Sequence, residues 1–217
     1  MLLRPQGAVW AAHMDPTAHR VVTASADMTA KVWDAITGDE IYTFMHPSVV
    51  KAARISKDAK RMITGGYDKV LRVFSLEQPE TEPTCLVGCA SRITRAEFLG
   101  EADTTVLTVE DGGKEVKVWD LRVGSVVTKM ETADPINDTE VSYTMAGDNP
   151  WFVVAGGQHV QFWDMATFQL IRKVHVGDIG LQAACLHPDR GRFVCGGLDM
   201  AVRVFDFETE ALIEARK

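Results

Sequence analysis

Residues 25–34 read SADMTAKVWD, and residues 197–206 read GLDMAVRVFD. Each is a turn around an aspartate, a short alternating run, then an aromatic followed by aspartate. The closing pair recurs between them, so five copies end at Trp33-Asp34, Phe74-Ser75, Trp119-Asp120, Trp163-Asp164 and Phe205-Asp206. The steps are 41, 45, 44 and 42 residues, and Asp27, Asp68 and Asp199 each stand six residues before their aromatic. A unit repeated at such a period buries its apolar surface against its neighbours rather than alone.

The chemistry inside one copy identifies the unit. TAKVW, VLRVF, EVKVW and AVRVF alternate with valine and aromatics, as half-buried strands do. Upstream, RVVTASA, RMITGG, WFVVAGG and RFVCGG end in small residues, and DPTAHR, SKDAKR and HPDRGR before them are turns. AITGDE and LRVGSV after the aromatic read as hairpins into a last strand. Each copy is therefore four antiparallel strands, and a period near 43 with this ending belongs to propeller blades. The expectation is an all-β propeller region spanning 1–217, with blades near 7–45, 46–86, 87–132, 133–174 and 175–217. Gly65-Gly66, Gly156-Gly157 and Gly196-Gly197 fit tight packing near a crowded centre. No helix follows them, so they are not a phosphate-binding loop.

Bulk properties narrow the function. The 217 residues are 46% hydrophobic and 24% charged, which argues for a packed core and against disorder. A net charge of −7 weighs against a broad grip on nucleic acid, and no basic surface interleaved with aromatics is legible, so direct nucleic-acid binding is not expected. The apolar runs fall short of the ~20 residues that a membrane span needs, so no membrane insertion is expected. MLLRPQGAVW is too short in its apolar part for an export signal. Cys85, Cys89, Cys185 and Cys195 lack zinc-site spacing, and the six histidines show neither nucleophile pairing nor metal spacing. The expectation is no enzyme, no catalytic residue, no metal and no cofactor. Converging acids or a bound metal would be the mark of the remaining alternative, a propeller hydrolase.

The repeats resemble the WD-repeat propellers. In that family a histidine, a serine or threonine, the turn aspartate and the aromatic form a buried polar set. Carried over, the resemblance implies a structural role for Ser25, Asp27 and Trp33 in the first copy and for His46, Thr64 and Asp68 in the second, where Phe74 lacks the indole donor. His175 and Asp199 are candidates in the fifth. The third copy has Gly88-Cys89 and a looser turn around Asp111, and the fourth lacks a turn aspartate. The family's narrow face would expose Ala26, Met28, Tyr67, Lys69, Leu198 and Met200 as candidate partner-binding residues.

GAVWAAHMD, TAKVWDAITGDE, VVKAARISKDAKRMITGGYDKVLRVFSLEQPETEP and HPDRGRFVCGGLDMAVRVFDFETEALIEARK are similar to the serine/threonine-kinase-receptor-associated (Unr-interacting) group within the family. Members of that group have seven blades, so the five copies imply a partial arc, with a tighter five-bladed ring as the alternative. The resemblance implies a cytoplasmic scaffold, with the nucleus as a second compartment. Its implied partners are components of the survival-of-motor-neuron complex, which assembles spliceosomal small nuclear ribonucleoproteins. The Unr RNA-binding protein and receptor kinases are further implied partners, through translation and receptor signalling. The WD-repeat scaffold subunit of translation initiation factor three is the alternative, because it shares GAVW and the Trp-Asp endings.

Overall fold

A computed structural model describes residues 6–99, 103–132, 134–142 and 150–217. Twenty strands in chain order form five four-stranded antiparallel sheets, with no helix among the described residues. The first sheet is β1 (Val9–Met14), β2 (Arg20–Ser25), β3 (Thr29–Asp34) and β4 (Glu40–Met45). The second is β5 (Val50–Ile55), β6 (Arg61–Gly66), β7 (Val70–Ser75) and β8 (Thr84–Val87). The third is β9 (Ile93–Leu99), β10 (Thr105–Glu110), β11 (Glu115–Asp120) and β12 (Ser125–Glu131). The fourth is β13 (Asp138–Ser142), β14 (Trp151–Gly156), β15 (His159–Asp164) and β16 (Leu170–His175). The fifth is β17 (Leu181–Leu186), β18 (Arg192–Gly197), β19 (Val202–Asp206) and β20 (Leu212–Arg216). Every sheet pairs its strands in sequence order, which is the blade architecture the repeat implies.

The chain divides into two compact units, Met1–Asp111 with Val116–Lys129, and Gly112–Glu115 with Met130–Lys217. In the first, Val22, Val32 and Phe44 pack against Val50, Ile55, Met62 and Phe74 of the second sheet. The opposite face of that sheet places Ile63 and Leu71 against Ile93, Phe98, Val106 and Trp119. Met62 and Ile63 are consecutive on β6 and serve opposite faces, as a period of two requires. In the second unit, Val153, Val160, Phe162 and Val174 meet Leu181, Phe193, Phe205 and Phe207. Phe162 lies edge-on to Phe193 and Phe207, at 5.2 and 5.0 Å between centroids.

The hairpins into the outer strands follow from the residue after the aromatic. Asp34 Oδ1 accepts from the backbone N–H of Ile36 and Thr37, at 2.8 and 2.9 Å. Asp164 does the same for Ala166 and Thr167, and Asp206 for Thr209. Such a carboxylate substitutes for a backbone acceptor and closes a tight turn. Ser75 replaces it in the second sheet and accepts from Gln78 N–H, at 3.1 Å, and a longer Glu/Pro connection precedes β8.

Close approach also explains two glycines. A Cβ on Gly66 would lie 2.1 Å from Val49 O, and one on Gly197 would lie 2.3 Å from Ile179 O. Those carbonyls accept from Tyr67 N–H and Leu198 N–H, so the innermost strand starts pressed against the end of the second. Gly66→Ala is expected to lower stability by roughly 2 kcal/mol, read as a shift of the urea midpoint. An unchanged midpoint would contradict this packing.

Candidate functional site

Halfway along each sheet the second and third strands meet at one equivalent pair: Thr23↔Lys31, Thr64↔Arg72, Thr108↔Lys117, Val154↔Gln161 and Cys195↔Arg203. Four of the five sheets thus carry a cation on the third strand, two residues before the aromatic. Burial makes a carboxylate partner obligatory there. Lys31 bonds Glu40 at 2.5 Å and donates to Thr43 Oγ1 at 2.9 Å. Arg72 pairs with Asp68 at 2.5 Å, Lys117 with Glu110, and Arg203 with Asp199. Two of the turn aspartates therefore neutralise a third-strand arginine, a role the sequence reading did not assign them.

The threonine of the pair takes whichever donor or acceptor its sheet supplies. Trp33 Nε1 donates to Thr23 Oγ1 and Trp119 Nε1 to Thr108 Oγ1, both at 2.9 Å. Phe74 has no donor, and His46 lies 2.8 Å from Thr64 Oγ1 through Nε2 instead. His46 Nδ1 is 3.1 Å from Phe44 O, so Nδ1 carries the hydrogen and the Thr64 hydroxyl donates to Nε2. Burial lowers the His46 pKa and keeps this neutral tautomer. In the fourth sheet Val154 offers no hydroxyl, and the buried Trp163 Nε1 has no partner among the described residues.

The anticipated polar sets are accordingly rearranged. Ser25 Oγ accepts from Asp27 N–H at 3.2 Å, and Asp27 accepts from Thr29 and from Gln6 N–H, while Trp33 turns to Thr23. His175 is exposed at the end of β16 with its ring 5.2 Å from His159, whereas Asp199 faces Arg203. The fourth repeat lacks its own turn aspartate, but Asp134 supplies a carboxylate from the preceding connection, 2.6 Å from His159 Nδ1.

At the turn between second and third strands, Met28, Tyr67, Leu198 and Met200 are 44, 38, 73 and 86% exposed, Lys69 is exposed and Ala26 is half-buried. Met28, Lys69 and Met200 occupy the same turn position with φ of 67, 65 and 59°. Within the first unit, cations cover the neighbouring aromatics. Lys51 Nζ lies 3.1 Å from the Trp10 ring centroid, and the Arg92 guanidinium lies 4.6 Å from that of Tyr67. The four residues come from three different sheets or their approaches, so neither contact is legible in the sequence.

Hydrolytic or thiol chemistry finds little support in these groups. Burial pushes the thiols of Cys89, Cys185 and Cys195 up to about 11, away from the reactive thiolate. No three His, Cys, Asp or Glu side chains converge as metal ligands among the described residues. A hollow of about 400 Å³ beside β7 is lined by Asp58, Lys60, Arg61, Ser75, Glu77 and Thr84, with no histidine among its lining residues. No helix is long and apolar enough to cross a membrane among the described residues.

On the innermost strands, Arg54 Nε lies 2.7 Å from both carboxylate oxygens of Glu97, joining β5 to β9. His13, on β1 beside Arg54, has its pKa lowered to about 4, first by burial and then by that guanidinium.

The WD domain, G-beta repeat family matches residues 3–34 and 38–75. The chain is 36% identical over 98% of its length to a serine-threonine kinase receptor-associated protein of Dictyostelium discoideum, spanning 70% of that protein. It is 32% identical, again over 98% of its length, to the Homo sapiens protein of the same name, of which it spans 58%. Eukaryotic translation initiation factor 3 subunit I of Candida albicans is 25% identical over 97% of the chain, which spans 66% of it.

Two outcomes test this geometry. Val154→Thr gives the Trp163 indole an acceptor and is expected to raise stability by about 1 kcal/mol, measured by urea unfolding; a loss would contradict the pairing. His13 is deprotonated in the folded chain at pH values where the unfolded chain binds a proton, so stability should fall as pH drops from about 6.5 to about 4. Burial of Asp103 raises its pKa and works in the opposite sense, so the diagnostic is a flatter pH profile in His13→Gln. An unchanged profile would contradict it.

Proposed function

The chain belongs to the serine-threonine kinase receptor-associated protein family of WD-repeat β-propellers, and from that premise we propose that it is a non-catalytic scaffold that binds other proteins. The observation that carries this reading is the display of Met28, Tyr67, Leu198 and Met200 on turns whose bases are pinned by ion pairs and hydrogen bonds. Exposed apolar and aromatic side chains on a rigid base are what a binding surface needs, since little entropy is lost on contact. The polar residues beneath them neutralise buried cations and cap turns, which supports a structural use of these groups.

Among scaffolding roles, we place the protein in the survival-of-motor-neuron complex for assembly of spliceosomal ribonucleoproteins, in the cytoplasm and with access to the nucleus. Association with a serine-threonine kinase receptor, as the relatives' name states, and with the Unr RNA-binding protein are further proposed roles of these exposed turns. A second reading is a scaffold in translation initiation factor 3, supported by the similarity to subunit I along nearly the whole chain.

Affinity capture from cytosol, read by mass spectrometry, decides between them. Enrichment of Sm proteins and their assembly factors is expected, with capture reduced about tenfold by Tyr67→Ala with Met28→Asp. Recovery of initiation-factor subunits in their place would favour the second reading. Stoichiometric partners that ignore both substitutions would overturn the proposed surface.

A further inference from the structure

The first unit carries two lysines, Lys51 and Lys69, that no carboxylate neutralises among the described residues; Lys51 lies over the Trp10 ring and Lys69 shares a turn with the exposed Tyr67. Lys51 occupies an irregularity in β5, where the register to β6 shifts between Val50 and Ala52. Trp10 occupies the same place in β1, between Val9 and Ala11. The extra residue of such a bulge is left out of the ladder and re-aims its side chain. That device brings Lys51 Nζ onto the Trp10 ring, which remains 48% exposed. One residue beyond Gly66, Tyr67 donates its backbone N–H to Val49 O, two residues before Lys51. Arg92 covers the Tyr67 ring and pairs with Asp111. Lys69, held at positive φ on the same turn as Tyr67, donates only to the neutral Ala90 carbonyl, at 2.9 Å.

The acids at this end are already engaged. Asp68 is held by Arg72, Asp111 by Arg92, and Asp27 by Thr29 and the Gln6 N–H. Lys51 and Lys69 therefore present positive charge at a rim of a chain whose net charge is −7. Carboxylates of a ligand would complete them, and the edges of Trp10 and Tyr67 would pack against the ligand's backbone and methylenes. A polyanion such as RNA fits less well, because the Trp10 and Tyr67 rings on which its bases would stack already carry a cation each.

We propose that the rim formed by Trp10, Lys51, Tyr67 and Lys69 binds an acidic segment of a partner protein. This rests on the scaffold reading and specifies the chemistry of its partner. The probe is a fluorescein-labelled peptide of alternating glutamate and glycine, titrated with the whole chain and followed by anisotropy. Its glutamine counterpart and a labelled oligouridine serve as comparisons. The glutamate peptide should bind, weaken as salt screens the contact, and lose about tenfold in affinity with Lys51→Gln and Lys69→Gln together. Lys69 is exposed and Lys51 is half-buried against Trp10, so a retained cooperative melting transition should accompany that loss. No binding by the unaltered chain, equal binding by the double variant, or tighter binding of oligouridine would each overturn the proposal. Equal capture of cytosolic partners by the double variant would overturn the rim's role and leave the scaffold reading standing. Loss of all capture from a chain that still binds the peptide would overturn the scaffold reading instead.

Discussion

A four-stranded sheet with apolar residues on both faces cannot exist alone in water, and everything else in this chain answers to that constraint. Met62 and Ile63 are neighbours on one strand yet belong to cores on opposite sides of it, so the second sheet is half of two interiors. At the start of the second and fifth sheets this crowding leaves no room for a side chain, because a Cβ on Gly66 or Gly197 would run into a backbone carbonyl. The space at the sheet centre is equally scarce, so the polar groups admitted there must be paired.

That pairing accounts for the unevenness of the repeat. A third-strand cation stands at Lys31, Arg72, Lys117 and Arg203, and the carboxylate that answers it comes from a different place in different sheets. Asp68 and Asp199 lie on the preceding turn, Glu110 ends the second strand, and Glu40 opens the fourth. Because what must be preserved is charge neutrality and not a particular residue, the recognisable motif fades while the sheet remains. The fourth sheet follows the same rule with a neutral Gln161 in place of the cation.

The blade architecture was legible because it rests on periodicity, and the period from Trp33 to Phe205 survives every local substitution. Turn chemistry was also legible, since aspartate after the aromatic has few structural alternatives. The polar partners were less so. Ser25, Asp27 and Trp33 stand close in sequence and in the family pattern, but the Trp33 indole reaches Thr23 across a strand pair whose register spacing alone does not fix. The third-strand cation is visible in TAKVW, LRVF, VKVW and VRVF, two residues before each aromatic, yet alternation alone does not say which carboxylate answers it. Trp10 against Lys51 could not be read at all, because two bulges in different sheets create that contact.

The proposed function rests on what the turns between second and third strands show to solvent. His46, Thr64, Asp68 and Asp199 are engaged within their sheets, and methionine, tyrosine, leucine and lysine are exposed at those turns. That is the ground for proposing that the molecule acts through its surface. The measurement that addresses this most directly is hydrogen–deuterium exchange on the chain alone and on the chain captured with its cytosolic partners. The account predicts slowed exchange at residues 8–11, 48–51 and 66–69 in the captured state. Unchanged exchange there, with protection confined to the outer strands β4, β8 and β20, would contradict it.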